Sequence, residues 1–132
     1  MKNSVQFQVL LDLHGGPGSQ NGFDNSGKRG EIHFQDGDNA ARAAKVLGQM
    51  SKLVKTWIDE GSISEETVSG IELLNEPFGF YDPVWQVVYN EFNFDGYDEI
   101  RKVFADPKMQ VAVQTGFRDF SEYDNYMQPP VS

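Results

Sequence analysis

Residues 70–77 read Gly-Ile-Glu-Leu-Leu-Asn-Glu-Pro, and this stretch decides the fold. A short aliphatic run closed by Asn75, Glu76 and Pro77 has the profile of a buried strand ended by chain-turning residues. Side chains alternate along a strand, which puts Glu72, Leu74 and Glu76 on one face and Asn75 on the other. For Asn75 and Glu76 to enter one pocket, the strand end must be bulged or bent. Two similar runs flank this one. Residues 8–13 (QVLLDL) stop abruptly at His14-Gly15-Gly16-Pro17-Gly18, and residues 109–115 (MQVAVQT) follow Asp106-Pro107.

Helical patterns separate the three runs. Asp38 is placed to cap an element in which Ala43, Leu47, Met50, Val54 and Trp57 recur at alternating spacings of four and three, forming one face. Gly61 stops it. Asp82 before Pro83 marks a second helix start, with the cap residue ahead of a proline at the first helical position. That stretch is predicted to run through Ile100, Val103 and Phe104 to Asp106-Pro107, with an interruption near residues 93–96. Strands joined by crossovers far longer than a hairpin pair in parallel, so the fold class is α/β. A (β/α)8 TIM barrel takes about 250 residues, so three such units amount to a partial barrel, one incomplete domain over residues 1–132; a small open parallel sheet is the alternative.

Bulk properties narrow the function. With 132 residues, 39% of them hydrophobic and 23% charged, the chain reads as one globular domain. A net charge of -9 argues against nucleic acid bound through its phosphates. No apolar run approaches the roughly 18 residues of a membrane helix, so no membrane association is expected. There is no cysteine, hence no disulfide framework and no thiolate metal site. Met1-Lys2-Asn3-Ser4 lacks the apolar stretch of a secretory signal. No metal, cofactor or oligomeric state is called from the sequence.

Chemistry concentrates in two places. Glu76 lies at the C-terminal end of a buried strand, where parallel sheets and barrels build their sites. A glycosidic oxygen leaves poorly unless protonated, and a carboxylic acid held there by burial suits that task. The plainer reading is that Asn75-Glu76-Pro77 only ends a strand. The second place is the long loop of residues 15–37, rich in Gly, Asn, Asp and Ser; a loop of that length is usually functional when ordered. Its amides, hydroxyls and the ring of Phe23 suit a sugar, whose ring stacks on aromatics and whose hydroxyls need donors and acceptors. Phe23 reads equally as a packing anchor, and His14 as a structural histidine. His33 has no partner at metal-ligand spacing and reads as a loop residue.

Residues 10–27 (LLDLHGGPGSQNGFDNSG) together with residues 70–77 resemble the exo-β-1,3-glucanases of glycoside hydrolase family 5, the glucan 1,3-β-glucosidases. The resemblance covers nearly the whole chain, more loosely through residues 96–101 and 109–115. It implies an internal piece of a retaining β-glucan hydrolase, spanning strands three to five of its barrel. Under it, Glu76 matches the acid/base and Asn75 the neighbour that contacts the sugar's 2-hydroxyl. His14 and Asn25 match residues lining the terminal-glucose subsite, and Phe23 an aromatic at the pocket entrance. A retaining mechanism passes through a covalent glycosyl-enzyme, with two carboxylates about 5 Å apart. A β-glucan or β-glucoside substrate and an extracellular or cell-wall location are implied for the parent protein.

The chain also departs from that pattern. The family's nucleophile is a Glu near the end of strand seven; none of Glu31, Glu91 or Glu122 stands in the matching context, so the isolated chain is expected to be inactive. Gly16 replaces an Ala common in relatives, which reads as a small change, and Thr115-Gly116-Phe117 stands where relatives often carry a polar or acidic residue. Two other functions compete. His14-Gly15-Gly16-Pro17-Gly18 is similar to the oxyanion loop of some serine α/β-hydrolases, although no G-x-S-x-G elbow occurs. A half-barrel that binds glucan without cleaving it is the other. Half a barrel would expose strand edges and apolar helix faces and so tend to self-associate.

Overall fold

Three short runs form a parallel sheet, β1 (Val9–Asp12), β2 (Val68–Glu72) and β3 (Gln110–Ala112), in that spatial order; β2 is the most buried, while Val9 and Leu10 of β1 are exposed. The computed structural model describes residues 7–128, so the signal reading at Met1 to Ser4 lies outside the described residues. Leu11 pairs with Ile71 and Ile71 with Val111, while Asp12 pairs with Glu72 and Glu72 with Ala112. Both pairings are parallel, as the long crossovers require. The expected strands at residues 8–13, 70–74 and 109–115 are shorter or shifted in the structure, with β2 beginning at Val68.

The crossover from β1 to β2 contains α1 (Asn39–Asp59). Ala43, Leu47 and Val54 are buried as the spacing predicts, but Trp57 is 38% exposed and Met50 only half-buried. Ser51 takes an inward place instead, its buried hydroxyl donating to Leu47 O at 2.9 Å, so the buried stripe is wider and more polar than an apolar count suggests. Asp38 occupies the cap position without a side-chain cap bond; its carbonyl starts the helix by accepting from Arg42 N at 2.9 Å. Gly61 stops the helix at φ +75°, its N–H donating to Ile58 O.

From β2 to β3 the chain runs through α2 (Asp82–Val87), one π turn at Val88–Phe92 and α3 (Asn93–Arg101). Tyr81, not Asp82, is the cap, and the expected interruption falls one turn earlier than residues 93–96. The helix ends at Arg101 rather than at Asp106. Arg101 Nη1 donates to Phe104 O, Asp106 O and Met109 O, tying down the turn that leads into β3. Buried Gly96 brings α3 close to α1: a Cβ there would come within 2.8 Å of Leu47 Cδ1.

All three helices feed one core. Ala43, Leu47, Val54, Val84, Val88, Phe92 and Ile100 meet Ile71 and Leu73, with Leu11, Val111 and Val113 packed alongside. By strand alternation the other face presents Leu10, Asp12, Glu72 and Gln110. Leu10 is 51% exposed there, so that face is uncovered among the described residues.

The loop of residues 15–37 is ordered and anchored. Phe34, fully buried, meets Phe92 edge-on at 5.3 Å between ring centroids. Gly16 packs so tightly on this ring that a Cβ would come within 2.6 Å of Phe34, so an alanine at that position requires the ring to shift. His33 is held between two carboxylates, Nδ1 at 2.6 Å from Asp36 Oδ2 and Nε2 at 3.2 Å from Glu31 Oε2. These bonds, Asp36 first, raise its pKa above the ordinary 6.5.

Removing the anchor by Phe34→Ala is expected to cost about 3–5 kcal/mol of unfolding free energy in urea titrations. A loss under about 1 kcal/mol would mean that the ring does not hold the loop. Because folding raises the His33 pKa, the stabilisation by protonated His33 is complete below pH 6.5 and is lost as pH climbs through the raised folded-state value. The urea midpoint is therefore expected to fall with rising pH across that window in the native chain and to stay flat there in His33→Gln. An equal slope in the variant assigns the effect to another group.

Candidate active site

The site is built just past β2, where Leu73 and Leu74 are both buried. Leu73 N–H donates to Ala112 O and Asn75 N–H to Leu13 O, each at 3.0 Å, which keeps the segment between its two neighbours. At Glu76 the backbone swings to φ +42°, a left-handed conformation. Such a conformation costs a non-glycine residue about 1–3 kcal/mol and persists only where surroundings enforce it. Pro77 contributes by disfavouring the right-handed helical basin at Glu76. This is the bend the sequence required if Asn75 and Glu76 were to share a pocket.

What enforces the bend comes from the loop. Gln20 is fully buried, and its Nε2 donates to His14 O at 3.0 Å and to Asn75 O at 2.8 Å. Its Oε1 accepts from Gly16 N at 3.0 Å. Asn21, also buried, donates from Nδ2 to Glu76 O at 3.0 Å and accepts from Phe23 N at 2.8 Å. Phe78 N–H returns a bond to Gln20 O at 3.0 Å. Thus two consecutive peptide carbonyls at the end of β2 are clamped by two consecutive amide side chains. Neither Gln20 nor Asn21 was singled out from sequence, because an amide in a Gly-rich loop reads as solvated until its partners are seen.

The structure brings the residues marked from sequence together to different degrees. Asn25 donates from Nδ2 to Glu76 Oε2 at 2.8 Å, across 51 positions of sequence. Glu76 and Asn75 are half-buried, Asn25 exposed. His14 joins the group through its backbone carbonyl and the shared Gln20 amide. Its ring is exposed and rests 2.6 Å from Asp12 Oδ2, which orients the imidazole. Phe23 is 42% exposed and packs edge-on against Phe78 at 6.0 Å, so it anchors the loop and still offers part of its ring to solvent. Phe78 in turn meets Phe80 at 6.2 Å, extending an aromatic row that the sequence reading did not mark.

Glu31 is bonded by His33, Glu122 accepts from Arg118 Nε at 2.7 Å, and Glu91 lies in the π turn. Glu72 Oε1 accepts from Gln114 Nε2 at 2.6 Å on the uncovered sheet face. Among the described residues no three His, Asp or Glu side chains group to hold a metal ion, and no helix is long and apolar enough to cross a membrane. Chemically, the arrangement presents one carboxylate, steered by an amide donor, at the C-terminal end of a parallel sheet.

No protein-family profile matches the chain. Among curated proteins it is similar to the glucan 1,3-beta-glucosidase of Schwanniomyces occidentalis, 40% identical over 121 residues that make up 91% of this chain and 26% of the relative. The glucan 1,3-beta-glucosidase of Candida oleophila is 41% identical over 121 residues, 89% of this chain and 27% of the relative. Glucan 1,3-beta-glucosidase I/II of Saccharomyces cerevisiae is 34% identical over 122 residues, 91% of this chain and 25% of the relative. The chain thus spans about a quarter of the length of the curated relatives it matches. These relatives are by name O-glycosyl hydrolases. With such identities sustained along nearly its whole length, this chain is similar to a segment of the glucan 1,3-beta-glucosidases.

Proposed function

We propose that this chain carries the general acid/base of a retaining β-glucan hydrolase, with Glu76 as that group. The observation that carries the reading is the placement of Glu76: at the C-terminal end of the central strand, turned out of the sheet at φ +42° and bonded by Asn25. In the first step the Glu76 carboxylic acid gives its proton to the glycosidic oxygen as the bond to the anomeric carbon breaks. In the second the same group, now a carboxylate, takes a proton from the attacking water. Asn75 and Asn25 then serve the sugar's hydroxyls, His14 the terminal glucose, and the exposed part of Phe23 the pocket entrance. The substrate is a β-glucan or β-glucoside, and the corresponding location of the parent protein is extracellular or in the cell wall. The carboxylate that attacks the anomeric carbon is assigned to none of Glu31, Glu91 and Glu122.

Under this reading β1 to β3 are strands three to five of a (β/α)8 barrel and residues 1–132 belong to one such domain. Two observations support that. The parallel strands lie in sequential order, and the helices share one core on one face. Doubly wound sheets distribute helices over both faces, whereas a barrel covers its inner face with its own strands. The rival oxyanion-loop reading is disfavoured by Gly16, whose N–H is already taken up by Gln20 Oε1.

The test sets this chain in place of the aligned 121 residues of the Schwanniomyces occidentalis relative. Glu76→Gln is expected to lower kcat/KM about 10²–10⁴-fold on a β-1,3-linked glucose disaccharide. On a dinitrophenyl β-glucoside, whose leaving group needs no proton, the loss is expected to stay within about tenfold. Equal losses on both substrates would remove Glu76 from the acid role. The 132-residue chain by itself is expected to hydrolyse neither substrate; turnover abolished by Glu76→Gln would show a nucleophile within it.

A further inference from the structure

We propose that Gln20, assisted by Asn21, is a positioning residue for Glu76: the buried amide pair sets the left-handed backbone that aims the carboxylate at the substrate. The inference rests on the acid/base reading of Glu76 and adds to it the residues that make that reading physically possible. Neither amide touches the carboxylate. Both act on the two peptide carbonyls immediately before and at Glu76.

The geometry is that of a template rather than a surface contact. All the hydrogen-bonding atoms of the Gln20 side chain are engaged: Oε1 by Gly16 N, Nε2 by His14 O and Asn75 O. An amide nitrogen has two hydrogens, and these two carbonyls use both. Gln20 therefore bridges the segments that leave β1 at His14 and β2 at Asn75, beside the backbone bond from Asn75 N–H to Leu13 O. Asn21 does the same one peptide later, at Glu76 O. With Asn75 O and Glu76 O both held toward the loop, the intervening peptide has little freedom, and the left-handed φ at Glu76 follows. Asn21 Nδ2 also lies 3.4 Å from Asn25 Oδ1, which orients the very amide that donates to Glu76 Oε2. Backbone and carboxylate are thus set by the same pair.

Glutamine is required here for chemical reasons. Glutamate has the same shape and keeps the acceptor for Gly16 N–H, but turns an oxygen toward two carbonyl oxygens. Methionine fills similar volume and offers no donor. Methionine leaves both carbonyls without this donor and glutamate, even when protonated, can satisfy only one of them, so the chain is free to relax Glu76 toward an ordinary extended conformation.

Two measurements test the proposal. In the 132-residue chain, NMR of the native protein is expected to show the strong intraresidue amide-to-Hα contact of a positive φ at Glu76. In Gln20→Met and Gln20→Glu that contact is expected to weaken and the Asn25 side-chain amide resonances to move as they do in Glu76→Gln, while α1 amide shifts stay in place. An unchanged Glu76 φ and Asn25 signal in both variants would overturn the proposal. In the hybrid enzyme described above, Gln20→Met is expected to lower kcat/KM for the disaccharide about 10²-fold and to affect the dinitrophenyl glucoside within about threefold. A folding defect lowers both alike, and that outcome too would refute a positioning role. The two readings fail separately: if Glu76→Gln lacks the leaving-group split, the acid/base assignment falls; if only Gln20→Met lacks it, the positioning role falls alone.

Discussion

One buried amide governs how the ends of two strands meet. Parallel strands do not connect through a hairpin, so nothing covalent fixes the C-terminal ends of β1 and β2 relative to each other. The backbone bond from Asn75 N–H to Leu13 O holds them, and the Gln20 Nε2 group adds a side-chain bridge by donating to His14 O and Asn75 O. Gln20 is fully buried and the two bonds are part-buried, so losing the donor is costly chiefly on the sheltered side, by about 1–3 kcal/mol for a carbonyl left bare out of water's reach. The bend at Glu76, the path of the loop through Asn21 to Asn25, and the Phe23–Phe78 contact all lie downstream of that arrangement. The core beneath, from Leu47 to Ile100, gives the sheet its stiffness; the amide converts a stiff sheet end into a shaped one.

Much of the fold could be read from local chemistry. The aliphatic runs ended by His14-Gly15 and Asn75-Glu76-Pro77 announced parallel strands, but burial held only for β2: in β1 Val9 is 41% and Leu10 51% exposed, Leu10 on a face that nothing among the described residues covers. Helix α1 followed its spacing as far as Val54 and then departed at Trp57, where tertiary packing chose Ser51 and left the indole half in solvent. Periodicity counts apolar residues and is blind to a serine that satisfies its hydroxyl within its own helix. The end of α3 was misplaced for a similar reason: Val103 and Phe104 keep the helical spacing, but the three carbonyls collected by Arg101 stabilise a turn instead. A single side chain reaching eight residues ahead leaves no pattern in a sequence window.

The site divides along the same line. Glu76, Asn75, Asn25, His14 and Phe23 were marked from sequence by their place at strand ends and in the loop, and by the resemblance that joined them. Gln20 and Asn21 passed unnoticed, although they sit between the marked residues. Their role depends on partners 55 positions away, and only the closed loop reveals that they are buried. The φ of Glu76 was foreseeable as a need for a bend, not as a particular conformation. Physical reading of one chain finds reactive groups more readily than the scaffolding that orients them.

The account's central claim is that Glu76 meets the glycosidic bond. A crystal structure of the hybrid enzyme with a thio-linked, uncleavable β-1,3-glucose disaccharide would test it most directly. The account expects the Glu76 carboxyl within hydrogen-bond reach of the atom linking the two sugars, with Asn25 still on its other oxygen. A disaccharide seated with its linking atom away from Glu76, and that carboxylate facing solvent, would contradict it.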